Sequence, residues 1–167
     1  MRRTTQLLAL TAALAVMAPI GPTLAAGDAS ADTADGGTFM PFAQWLRRCD
    51  FSKNEYDGPA GYARPQAVIR SDGSTVTADV QIATAIPNIR YDVRLIQAPK
   101  PSSVTCWGGD PGVALASMQI DAAGNGSVTL QDNIEPGATG AWLFISRPDA
   151  FSQKPAEFYT SDLITPI

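Results

Sequence analysis

The side chains able to do chemistry are few. The 167-residue chain carries sixteen Asp and Glu, two Cys, three Trp and no His. Without histidine there is no Ser-His-Asp or Cys-His arrangement, no histidine metal site and no histidine pH switch. Lysine can activate a serine only from a desolvated setting. Lys53, Lys100 and Lys154 stand instead in polar or proline-rich stretches. Paired carboxylates would cleave a glycosidic bond if two acids faced each other about 5 Å or about 6.5–9.5 Å apart. The candidates are Asp79, Asp92, Asp110, Asp121 and Asp132. Most adjoin Gly, Asn or strand ends, where Asp builds turns or a solvated face. Asp79 and Asp92 fall at outward positions, within reach of Arg90 or Arg94 for ion pairs of small energy.

Other ligand chemistries are equally thin. Asp121-Ala122-Ala123-Gly124-Asn125-Gly126 offers oxygens for calcium, but that ion takes about six to eight ligands, and a hairpin turn suits the segment better. The loop Trp107 to Gly112 is glycine-rich yet lacks the Lys and Ser/Thr of a phosphate cradle. Trp45 and Trp107, with Asp110, are the candidate contacts to a ligand or partner. Trp142, beside Leu143, Phe144 and Ile145, reads as core, and Trp107 reads as packing over a disulfide. The expectation is a non-enzyme with no catalytic residue, no metal and no cofactor.

Arg2-Arg3, the apolar run Leu7 to Ile20 and the small residues through Ala26 have the layout of a secretory signal peptide. Cleavage is expected after Ala25 or Ala26, with Ala31 as the second choice. A twin-arginine route is the weaker alternative, because Thr4-Thr5-Gln6 follow the arginines. Loss of residues 1–26 removes two basic residues and no acid, leaving ten basic against sixteen acidic side chains, a net charge of −6. Such a chain has no electrostatic footprint for nucleic acid and is repelled by anionic lipid. No later segment is apolar for long enough to span a bilayer. In an exported chain, two cysteines read as one bridge, Cys49 to Cys106, with two buried free thiols as the alternative. Closing so long a loop stabilises the fold by about 4 kcal/mol.

What must position these residues is a set of strands. Val76, Ala78, Val80 and Ile82 alternate with polar neighbours, as do Ile89, Tyr91, Val93 and Leu95, and Ile86-Pro87-Asn88 turns the chain between them. Two such strands need a second sheet over their apolar face. Ala67 to Arg70, Val113 to Ile120, Val128 to Leu130 and Glu157 to Ile164 add further strands. Ala141 to Ile145 is a continuous apolar run, expected of a central strand covered on both sides. Phe42, Trp45, Leu46 and Cys49 have helical spacing after Pro41, so residues 41–50 read as a short helix or an edge strand. No amphipathic helix follows Asp50, which excludes a parallel sheet with crossover helices. The organisation is a signal peptide (1–26), a disordered lead-in (27–38) and one domain (39–167). That domain is expected to be an immunoglobulin-like antiparallel Greek-key β-sandwich with one disulfide.

Pro87-Asn88-Ile89-Arg90-Tyr91-Asp92-Val93 resembles the Pro-x-x-x-Tyr-x-Val corner of fibronectin type III and related immunoglobulin-like domains, with Ala85 where a leucine is usual. The resemblance implies that Pro87 and Tyr91 form a structural corner, the tyrosine bonding back to the backbone. The wider layout resembles small secreted β-sandwich proteins of actinobacteria. It shares the leader, Arg-Leu-Ile-Gln after the corner, a cysteine, the Asp-Ala-Ala-Gly-Asn-Gly turn and Pro-Gly-Ala-Thr before a hydrophobic strand. That resemblance implies a fold and an address and carries no activity. The functional expectation is therefore a secreted, non-enzymatic protein that binds a partner protein or a cell-envelope glycan outside the cell. A carbohydrate module using Trp and Asp is the alternative, and a carboxylate-dependent hydrolase the third.

Overall fold

Val76, Ala78, Val80 and Ile82 are all buried, while Thr77, Asp79 and Gln81 between them face solvent. In this computed structural model, which describes residues 36–54 and 61–167, the strand they form is the fourth of ten. One sheet has the order β1 (Thr38–Met40), β3 (Arg64–Ser71), β4 (Thr75–Ala83), β7 (Gly126–Asn133). The second has the order β2 (Phe42–Ala43), β9 (Glu157–Ser161), β8 (Gly140–Arg147), β5 (Arg90–Ala98), β6 (Val113–Gln119). β10 (Thr165–Pro166) pairs with the start of β8. All pairings are antiparallel, and no helix occurs among the described residues. Strands β3 to β9 alternate between layers as β3-β4-β7 facing β6-β5-β8-β9, the immunoglobulin-like Greek-key order.

Period-two alternation decides which side chains meet between the sheets. Val76, Ala78, Val80 and Ile82 of β4 pack with Tyr91, Val93 and Leu95 of β5 and with Ala141, Leu143 and Ile145 of β8. Each fully buried aliphatic side chain stabilises the fold by about 1.5–3 kcal/mol. The other face of β8 is also dry. Trp142 and Phe144, with Ile96, Phe158 and Cys106, form a second apolar cluster covered by Leu46, Cys49 and Phe51. The continuous apolar run over 141–145 is thus covered on both sides.

One local alternative is decided and one expectation is corrected. Residues 41–50 form no helix. Phe42 packs on the first cluster whereas Leu46 and Cys49 pack on the second, so their helical spacing does not define one shared face. β2 pairs with β9 there, an edge strand, and Arg47 bridges to Lys53. The turn at Asp121 forms, with Gly124 at φ +83°, but its flanking strands β6 and β7 belong to different sheets. It is an arch between layers and not a hairpin. The expected leader lies outside the described residues, as does residues 27–35 of the lead-in; Thr38 already belongs to β1.

Candidate ligand site

On β5 and β8 the residues facing away from the sandwich core are Asp92, Arg94 and Ile96, and Trp142, Phe144 and Ser146. Register sets Arg94 beside Phe144 and Ile96 beside Trp142. A flat outer face would leave these open to water. Here two loops rise over it, joined by the Cys49–Cys106 disulfide with Cα atoms 5.6 Å apart. A third segment, residues 148–155, walls the opposite side. Between them lies a cavity of about 430 Å³.

Arg94 is the most telling side chain of this cavity. It is 9% exposed. Its guanidinium lies 4.2 Å from the Phe144 ring centre and 5.4 Å from that of Trp107. Nη1 donates to the Cys106 carbonyl at 2.9 Å. Burial pushes its pKa down to about 10, with Asp92 opposing the shift, so it keeps its charge at neutral pH. Arg47, also on the wall, lies with its guanidinium 3.8 Å from the centre of the Phe51 ring and donates to the Phe51 and Asp162 carbonyls.

Trp107 stands on the rim, 63% exposed. Asp110 fixes the loop that carries it, accepting from the Thr105 hydroxyl at 2.7 Å and from the Trp107 N–H at 2.8 Å. Those bonds hold its carboxyl below the usual range. Asp110 therefore positions Trp107 and does not line the cavity itself. Trp45 is 53% exposed, lies off the cavity wall and has the Lys53 ammonium 4.4 Å from its ring centre. Trp142 is buried at 1% exposure, edge-on to Phe51.

The chain matches no family model, no curated protein and no solved structure. Function must be read from the site itself.

The other candidate acids are scattered and engaged. Asp79 accepts from Thr129 and pairs with Arg70, Asp92 pairs with Arg90 at 3.3 Å, and Asp132 accepts from Gln97 at 3.0 Å. Asp121 accepts from the N–H groups of Ala123 and Asn125 in its own turn. Tyr91 follows the Pro87 crossover between the sheets, and its hydroxyl donates to the buried carboxylate of Glu157 at 2.8 Å. No group of three or more metal-ligating side chains occurs among the described residues.

Arg94, Phe144 and the 148–155 wall are not read as site residues from sequence, where Arg94 is only an ion-pair candidate and Phe144 only core. A signal for Arg94 exists: the same alternation that sends it outward puts Ile96 on its face, and β8 beside it is apolar on both sides. An arginine on such a face is covered, not solvated.

Proposed function

We propose that the protein is an exported, non-enzymatic binding module that engages its partner outside the cytoplasm through the outer face of its second sheet. The observation that carries this reading is Trp107, largely exposed on the rim of the cavity and locked in place by Asp110. A large exposed aromatic on a braced loop, beside exposed Val104, has the make-up of an interaction anchor. The two acids on the cavity wall support a non-catalytic role. Asp92 is tied to Arg90, and Asp149 accepts from the Phe151 N–H at 2.7 Å.

A carbohydrate module is the second reading, favoured by the exposure of both Trp45 and Trp107. One experiment separates the two. Disulfide-bonded protein is incubated with isolated cell-envelope material, with protease-treated envelope and with a glycan array. The binding-module reading expects retention by the envelope that Trp107→Ala abolishes, while Tyr62→Ala, at an exposed position that does not line the cavity, retains it. Loss in both Trp45→Ala and Trp107→Ala, with binding to protease-treated envelope intact, would establish the carbohydrate reading. Recovery of the protein inside the cell with residues 1–26 attached would overturn both.

A further inference from the structure

We propose that the cavity on the second sheet binds a small organic carboxylate, gripped by the free edge of the Arg94 guanidinium, with its apolar body against Trp107 and Phe144. This deepens the reading above and rests on it only for the location of the site.

The argument starts from ion pairing. Arg70, Arg90 and Arg147 each have a carboxylate partner, Asp79, Asp92 and Glu157, although all three are more exposed than Arg94. Arg94 is the most buried arginine among the described residues and has no ion pair there. A desolvated charge with no counter-charge in direct contact is costly, and such charges in folded proteins are paired or take a ligand. The acid that acts on it, Asp92, is already held by Arg90 and Ser117.

Geometry then selects the ligand. Nη1 is committed to the Cys106 carbonyl. Nε and Nη2 make no hydrogen bond among the described residues. Two side-chain nitrogens are sealed from solvent without a partner, Arg47 Nε and Trp142 Nε1, and those of Arg94 are not among them. The open Nε–Nη2 edge is a planar two-donor fork, matched in shape by a carboxylate accepting two parallel bonds. The rings of Phe144 and Trp107 that flank the guanidinium supply apolar contact for whatever the carboxylate is attached to.

Charge and size agree. Among the described residues, Arg47, Arg48 and Arg94 line the cavity with Asp92 and Asp149, a local grouping of cations on a chain of net charge −4. Such local contrast draws anions to one place. A volume of about 430 Å³ falls in the range of small-molecule sites. A phosphate monoester carries more charge than one buried guanidinium balances, and the neighbouring Arg47 and Arg48 already donate to the Phe51 and Asp162 carbonyls and to Asn54 Oδ1.

Benzoate, benzamide and phenyl phosphate are suitable probes, added to the disulfide-bonded protein and followed by calorimetry and by the Trp107 indole N–H resonance. Benzoate is expected to bind saturably and shift that resonance, with benzamide and phenyl phosphate weaker by about tenfold or more. Arg94→Gln should remove the preference for benzoate over benzamide. Trp107→Ala, at an exposed position, should weaken both ligands without lowering the melting temperature. If Arg94→Gln fails to fold, the three-probe comparison and Trp107→Ala decide alone. Equal binding of benzamide and benzoate, tighter binding of phenyl phosphate, or no binding of any probe would overturn the proposal. Envelope retention is read separately: its survival alongside failed benzoate binding sinks only the carboxylate site, and its loss alongside intact benzoate binding sinks only the docking reading.

Discussion

The Tyr91 hydroxyl on β5 donates to Glu157 Oε2 on β9 at 2.8 Å, across the intervening strand β8. Tyr159 donates to the other oxygen of the same carboxylate, and Arg147 of β8 lies 3.3 Å from Oε2. Tyr159 in turn accepts from the Ala63 N–H at 2.9 Å, which ties the segment entering β3 to the second sheet. Glu157 is only 4% exposed, so these donors are what make its burial tolerable. The cluster closes one end of the core as the disulfide braces the outer face.

Removing one donor should therefore cost more than an ordinary hydrogen bond. Tyr91→Phe and Tyr159→Phe are each expected to lower stability by about 1–3 kcal/mol, since each leaves a buried carboxylate short of a partner. Because both act on one carboxylate, the double variant should depart from additivity. Urea unfolding of the four proteins measures this.

The same cluster predicts alkaline sensitivity. Burial, and then the bond to Glu157, raises the pKa of both tyrosines above the ordinary value of 10.0. A raised folded pKa means that their stabilisation is complete below pH 10 and is lost as pH rises through the folded values. The unfolding free energy should fall above about pH 10, and the fall should be shallower in Tyr91→Phe. A profile unchanged by that substitution would count against the account.

Gly61 is a sharper test of the same corner. A Cβ added there would fall on the Tyr159 hydroxyl and the Glu157 carboxylate. Gly61→Ala should destabilise by about 1–3 kcal/mol through overpacking, seen as a lowered melting temperature.

The sandwich was legible because alternation is a direct record of which side chains face the core. Val76 to Ile82 and Tyr91 to Leu95 carry it without interruption. The two-sided burial of β8 was equally plain in Ala141 to Ile145. What covers its outer face was not, since Leu46, Cys49 and Phe51 come from a segment whose spacing mimics a helix. Alternation also says only that Arg94 points away from the core. Whether that direction is water or a cavity depends on loops that carry no periodicity. Glu157 was hidden for a related reason: strand-edge acids usually face solvent, and its donors come from separate strands.

At acid pH a different group should report. Asp72 accepts from the N–H groups and hydroxyls of Ser74 and Thr75 in the β3–β4 turn. The Thr75 N–H leads these bonds in holding its carboxyl far below the ordinary value of 3.8. A depressed folded pKa gives stability that is present above pH 3.8 and lost as pH falls through the folded value. Asp72→Asn should lower the urea midpoint at pH 7 and flatten the acid limb of the stability curve.

The disulfide should matter to stability and binding by separate routes. Cys49 and Cys106 are 57 residues apart, and opening a loop of that length loosens the unfolded chain by about 4 kcal/mol. Reduction also frees the Cys106 loop, whose carbonyl holds Arg94 Nη1. The first core contains neither cysteine, so the sandwich itself should persist. The paired Cys49→Ser, Cys106→Ser variant is expected to keep its β-type circular dichroism, to unfold at lower urea and to lose the benzoate preference. Non-reducing peptide mapping of the unaltered protein should recover the two cysteines in one linked fragment. Two freely alkylated thiols, or a variant whose stability and binding are unchanged, would remove the brace from the account.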